Sequence, residues 1–310
     1  MGAYTSYDIT VDDGSGLKKI TRPFGVYRPA GLLNSPTNKV PLVMIWGDHD
    51  SDTTTNWEAA ATANKFVAVW MPTITRGTVT GYAAKYPTVH GGTFCGPNGP
   101  SSGVPCDDGP FTLAVLAAVS CNGALPCQNI HANRRYTTGG SKGGMMVEDM
   151  MCDPAVAPNF KGFYAVSAVF PLYPDSGARA RCPYPASGHH DFSFFYFWGT
   201  NDTSYYADTT SYLTGKQNAG CGTCPSYFPA QAAMLTDLIN PWLGCSNEPT
   251  VTHPEAHWTM STYTRCKNPN VATGIIIGDN EGHSWPGFHN FGENDAQEVW
   301  DTFVAHHPDS

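Results

Sequence analysis

A chain of 310 residues, 41% hydrophobic and only 14% charged, with 32 Gly and 25 Pro, is long enough to bury one large core and requires many ordered loops. Its 26 acidic and 17 basic residues leave a net charge of -9, which excludes the basic field that nucleic acid or anionic lipid would need. The longest apolar runs fall far short of the roughly 18 residues that span a bilayer, so neither nucleic acid nor membrane is expected as a partner and a monomer is expected.

The opening Met1-Gly2-Ala3-Tyr4 has neither the basic region nor the apolar stretch of a signal peptide, and reads as the start of a mature domain. The first buried strand is expected over Val40–Trp46, followed by a helix over Trp57–Asn64 and a strand over Phe66–Trp70. A helix over Phe111–Val119, a strand over Arg135–Thr138 and a helix over Gly144–Met151 come next. Strands over Gly162–Phe170 and Phe192–Trp198, a helix over Ala230–Ile239, a strand over Gly274–Ile277 and a helix over Asp295–His306 complete the series. The strands are almost continuously apolar rather than alternating, as strands covered on both faces are. Strand and helix alternate, which predicts a doubly wound, mostly parallel α/β sheet with helices on both faces, a single domain over 1–310, and ligand chemistry at the carboxyl ends of the strands.

Ten cysteines, an even number, would be a liability in a reducing cytosol and point to disulfides and an extracellular location. Cys221-Gly-Thr-Cys224 lacks the second ligand pair of a zinc site and lies in a Gly/Pro/Ser-rich stretch, so it reads as a loop staple. Asp48-His49-Asp50-Ser51-Asp52 resembles the opening of a calcium loop without its glycine or closing glutamate. No metal and no cofactor is predicted.

The segment Gly139-Gly140-Ser141-Lys142-Gly143-Gly144 follows a predicted strand and precedes a predicted helix. That is the context of a nucleophile elbow, where a serine sits on a strained turn and glycines at -2 and +2 let backbones pass closely. Such a serine needs a histidine base and an orienting carboxylate, arriving in the order Ser, Asp or Glu, His. Asp202, just past the strand ending at Trp198, and His283, between the Gly274–Ile277 strand and the last helix, meet that order. Asp191 and Asp208 are the fallback carboxylates, and His189-His190 and His306-His307 are expected to be solvated. An oxyanion hole is expected from the N–H of Lys142 and, from the loop after the first core strand, that of Asp48. His90-Gly91-Gly92 lies beyond the following strand and reads as a loop. Trp285 and Trp46 are expected to wall an acyl group, with core packing as the competing role.

Five local segments carry a resemblance: Tyr136–Met146 around the nucleophile, Asp107-Asp108 with Phe111, Trp198-Gly-Thr-Asn-Asp202, Gly282-His-Ser-Trp-Pro-Gly287, and the last helix with Glu298-Val-Trp300. In these the chain resembles the feruloyl esterase and polyhydroxybutyrate depolymerase group, related to carbohydrate esterase family 1. The resemblance implies an α/β-hydrolase fold, a Ser141–His283–Asp202 triad working through an acyl-enzyme, and esters as substrates: feruloyl or acetyl esters of plant polysaccharide, or a polyester. From Trp242–Cys245 with Thr262-Tyr263 and Cys266 it also implies a Cys245–Cys266 disulfide; Cys95 with Cys106 and Cys121 with Cys127 are candidate pairings only as nearest neighbours in the sequence, which does not fix connectivity. Two features depart from the group: Trp46-Gly47 stands where it has His-Gly, and Lys142 follows the nucleophile. The Gly-Gly-Ser-Lys-Gly-Gly elbow is similar to that of certain secreted serine aminopeptidases, so a peptidase is one alternative and a non-catalytic binding homologue another. The sequence runs only a few residues beyond its last predicted helix, and soluble or oligosaccharide-linked esters are expected ahead of a solid polymer.

Overall fold

The structure, a computed structural model, describes residues 2–12, 19–33, 38–47, 49, 51–72, 74–76, 79–81, 107–122, 128–168, 191–200, 202, 235–254, 257–283 and 295–306. Ten strands of these residues form one sheet: β1 (Ala3–Asp12), β2 (Lys19–Arg28), β3 (Val40–Trp46), β4 (Val67–Met71), β7 (Ile130–Gly140), β8 (Gly162–Val166), β9 (Ser193–Gly199), β10 (Thr250–Thr252), β11 (Trp258–Tyr263) and β12 (Thr273–Gly278). A separate hairpin pairs β5 (Ile74–Arg76) with β6 (Val79–Gly81).

The sheet runs β1-β2-β4-β3-β7-β8-β9-β12-β11-β10. Its centre, β4-β3-β7-β8-β9-β12, is parallel throughout. These are the six strands expected from sequence, and β3, β4, β8 and β9 are buried at every position. Antiparallel strands flank the centre on both sides, β2 against β4 and β11 against β12. The outermost strands are absent from the expected series because β1 is mostly exposed and β10 entirely so, leaving no apolar run to read. Strand β8 ends earlier than expected: Ser167, at φ 46°, turns off the sheet and donates its N–H to the Phe197 carbonyl at 3.0 Å.

Helices α1 (Ala30–Leu33), α2 (Ser51–Asn64), α3 (Asp108–Ala117) and α4 (Lys142–Cys152) and the helix Asp295–His306 surround the sheet. Because side chains alternate along a strand, β3 feeds two cores at once. Leu42, Met44 and Trp46 join residues of α3 and α4, while Val43 and Ile45 join Trp57, Ala60 and Ala61 of α2 and Val299, Trp300 and Phe303 of the last helix. Two apolar cores on opposite faces of a parallel sheet are what a doubly wound chain produces. The expected helix over Ala230–Ile239 is seen as a wide turn at Leu235–Ile239 continuing into the short helix Asn240–Leu243, with 230–234 outside the described residues.

The margins are tied to the centre by particular links. Arg22 of β2, fully buried, donates to Asp107 at 3.1 Å and to Asp108, and its guanidinium lies 3.8 Å above the Phe111 ring. On the other side the expected Cys245–Cys266 disulfide is present. Cys152 is also disulfide-bonded, while Cys95, Cys106, Cys127 and the Cys221/Cys224 pair lie outside the described residues.

Candidate active site

Strand β7 delivers the elbow. Its last residues, Gly139 and Gly140, pair with Ala165 and Val166 of β8, and Ser141 follows at φ 54°, ψ -118° before α4 begins at Lys142. A side chain at positive φ is strained in any residue but glycine, so this backbone persists because its surroundings hold it. The Ser141 N–H donates to the Val166 carbonyl at 2.8 Å, and the Ser141 carbonyl accepts from Met145 N–H at 3.0 Å. The glycines have a steric cause. A Cβ on Gly139 would lie 2.4 Å from the carbonyl carbon of Gly143, and one on Gly143 would lie 2.0 Å from the carbonyl oxygen of Trp46. Serine at a helix N-cap ordinarily turns its hydroxyl back onto the first-turn N–H groups. Ser141 makes no such cap.

Strands β7, β9 and β12 are parallel with the rest of the centre, so Ser141, Asp202 and His283 all emerge past carboxyl ends on the same edge of the sheet. Two of them meet: His283 Nδ1 lies 2.7 Å from Asp202 Oδ2, with the Asp202 side chain fully buried and that of His283 23% exposed. A buried carboxylate on Nδ1 holds the imidazole in the tautomer that leaves Nε2 as a proton acceptor. Asp202 is fixed from behind by its own N–H on the Gly199 carbonyl at 3.1 Å.

The fallback Asp191 belongs elsewhere. It pairs with Lys161 and accepts from Asn268 at 2.7 Å. His306, expected to be solvated, is stacked on Phe195 with ring centroids 4.9 Å apart, and burial lowers its pKa from the ordinary 6.5. Its place at the inner end of an amphipathic helix outweighs its nearness to the end of the sequence. Trp46 is 1% exposed and belongs to the same apolar core as Met145 and Met146. Lys142 is exposed at the first position of α4, where an N–H has no acceptor within the helix. Asp48, Trp285, Asp208, His90, His189, His190 and His307 lie outside the described residues.

Sequence reasoning passed over two fully buried glutamates. Glu148 of α4 is fully buried, neither carboxyl oxygen meets a hydrogen-bond partner among the described residues, and desolvation pushes its pKa well above the ordinary 4.5. Glu281 is fully buried two residues before His283, with His257 Nε2 3.9 Å away. Neither stands in a motif, and only the packing around them sets them apart.

No protein-family profile and no curated protein sequence matches the chain. Among solved structures, it superposes on an acetyl xylan esterase from Aspergillus awamori with a TM-score of 0.57 and 11% identity, covering 96% of this chain and 99% of that one. A feruloyl esterase module from Clostridium thermocellum, an S954A mutant complexed with sinapinate, gives a TM-score of 0.52 and 11% identity over 97% of this chain and 87% of that one. The chain has the α/β-hydrolase fold. The strained serine after β7, the carboxylate after β9 and the histidine after β12 come in the chain order Ser, Asp, His.

Proposed function

We propose that the chain is a serine hydrolase of carboxylic esters. The observation that carries this reading is the 2.7 Å His283–Asp202 hydrogen bond on the sheet edge where the strained Ser141 turn also emerges. Asp202 holds the imidazole and stabilises its protonated form, and His283 takes the proton of Ser141 as the serine oxygen attacks the ester carbonyl. The alkoxide that develops is met by the N–H of Lys142 and, on the sequence reading, that of Asp48. The imidazolium then gives its proton to the departing alcohol, and water releases the acyl group by the same path in reverse. No step calls for a cofactor.

The substrate class follows from the resemblance and from the two structural neighbours, which are named as esterases of acetylated xylan and of feruloyl groups. Acetyl or feruloyl esters linked to plant polysaccharide are therefore proposed, and the sparse charge of the chain suits a neutral substrate. An extracellular location is proposed from the ten cysteines and the Cys245–Cys266 disulfide.

Ser141→Ala is expected to lower ester hydrolysis on the order of 10⁴- to 10⁶-fold with the fold retained, and a serine-directed phosphonate should label the parent chain at Ser141. An active, folded Ser141→Ala variant would sink the assignment. A panel of acetylated xylan, methyl ferulate, short aryl esters, polyhydroxybutyrate and a peptide amide separates the substrate classes, and turnover of the peptide alone would make the chain a peptidase.

A further inference from the structure

The turns that carry Asp202 and His283 are joined by more than the hydrogen bond between those two side chains. Gly199, at the end of β9, and Gly278, at the end of β12, are register partners, and the segment 279–283 folds back over both. A Cβ on Gly199 would lie 2.3 Å from the Glu281 carbonyl oxygen, and one on Gly278 would lie 2.4 Å from Glu281 Cγ. Thr200 N–H donates to the Gly278 carbonyl at 2.9 Å, and Asn280, turning at φ 63°, donates its N–H to Thr200 Oγ1 at 2.8 Å. Glu281 thus wedges the histidine turn against the ends of two strands, with its carboxyl group out of water.

What meets that carboxyl group comes from a third element. His257, just before β11, has its Nε2 3.9 Å from Glu281 Oε1, and its carbonyl accepts the N–H of Asp279 at 2.7 Å. A buried carboxyl group is costly unless a cation or a donor faces it. An imidazole can supply either, because it holds or releases a proton as the carboxyl group requires. At 3.9 Å the two groups face each other as an ion pair would, without the direct 2.7 Å hydrogen bond that joins His283 to Asp202.

We propose that Glu281 and His257 form a second imidazole–carboxylate pair that positions His283, holding the 279–283 turn so that Nδ1 stays on Asp202. The inference rests on the reading of Ser141, Asp202 and His283 as a catalytic triad. Glu281 and His257 touch neither nucleophile nor ester. They act through the orientation of His283, to which the rate is sensitive, since a displacement of about 1 Å costs on the order of 10²-fold.

The test is a double-mutant cycle of Glu281→Gln, His257→Gln and the pair together, each kept at the parent volume as nearly as possible. Hydrolysis of a short aryl ester gives kcat and KM, and the far-downfield proton resonance of His283 Nδ1–H reports its bond to Asp202 directly. Each single variant is expected to lower kcat by about tenfold to a hundredfold with KM within about twofold, and to weaken or exchange-broaden the resonance. The double variant is expected to lose no more than the worse single one, because both changes break the same pair. Folded variants with parent kcat and an intact resonance would overturn the proposal, and losses that simply multiply would overturn the pairing. Should Glu281→Gln fail to fold, His257→Gln at the partly exposed partner decides the matter by the same two readings. If the parent chain hydrolyses no ester, the esterase reading falls, while the resonance still reports whether Glu281 and His257 hold His283 in place.

Discussion

The centre of the sheet and its two margins are stabilised by different physics. In β3, β4, β8 and β9 every side chain is buried, and apolar burial on both faces needs no particular partner to succeed. Strand β1 is mostly exposed and β10 wholly so. They pair with β2 and β11, and the margins carry specific links, Arg22 of β2 with Asp107 and Asp108 on one side and the Cys245–Cys266 bridge on the other. The candidate site grows only from the centre, from the ends of β7, β9 and β12. A part that must hold reacting groups to a fraction of an ångström is best built where burial is most redundant.

That contrast can be broken at its links. Arg22→Leu would leave two carboxyl groups buried without their cation, and is expected to cost about 3–5 kcal/mol in urea unfolding. Replacing Cys245 and Cys266 together by serine opens a 21-residue separation and is expected to cost about 3 kcal/mol. At the centre, Gly143→Ala pushes a methyl group into the Trp46 carbonyl. It should cost about 1–3 kcal/mol and reduce ester turnover along with stability, whereas the two margin variants should leave turnover intact at temperatures where they remain folded. Loss of activity in a fully folded Arg22→Leu or Cys245/Cys266 variant would erase the distinction.

The centre carries one liability of its own. Glu148 is held protonated by burial in the folded state, with its pKa well above the ordinary 4.5, and it ionises freely once unfolded. The folded state therefore binds more protons, so stability is full below about 4.5 and falls as pH rises toward the folded value, by up to about 1.4 kcal/mol per pH unit. Glu148→Gln should flatten that slope in melting curves recorded between pH 5 and 8, and an unchanged slope would remove Glu148 as its source. His306 acts in the opposite direction. Its lowered pKa favours the folded state above the ordinary 6.5 and withdraws that support as pH falls. The smallest effect is expected at the margin surface: Val251→Thr, at a residue 53% exposed, should change stability by less than about 0.5 kcal/mol.

Much of the centre was legible beforehand because two-sided burial writes itself as unbroken apolar runs, such as Phe192–Trp198. The elbow was legible because close backbone approach admits only glycine at 139 and 143, and Asp202 because it follows a strand end directly. The margins were not legible: β1 alternates weakly, β2 contains Pro23, and β10 has three exposed residues. Trp46 could be a pocket wall or a core residue by composition alone. The structure places it in the core at 1% exposure.

By itself the sequence determined the parallel centre, the serine turn and the order of nucleophile, carboxylate and histidine, because burial period, glycine sterics and chain order are local properties. Only the tertiary structure decided which carboxylate meets His283, that Asp191 is committed to Lys161 and Asn268, and that Arg22, Glu148 and Glu281 are buried. Those are contacts between residues 30 to 86 positions apart, or environments made by several elements at once. A side chain's own identity carries no information about what the fold will bring to face it.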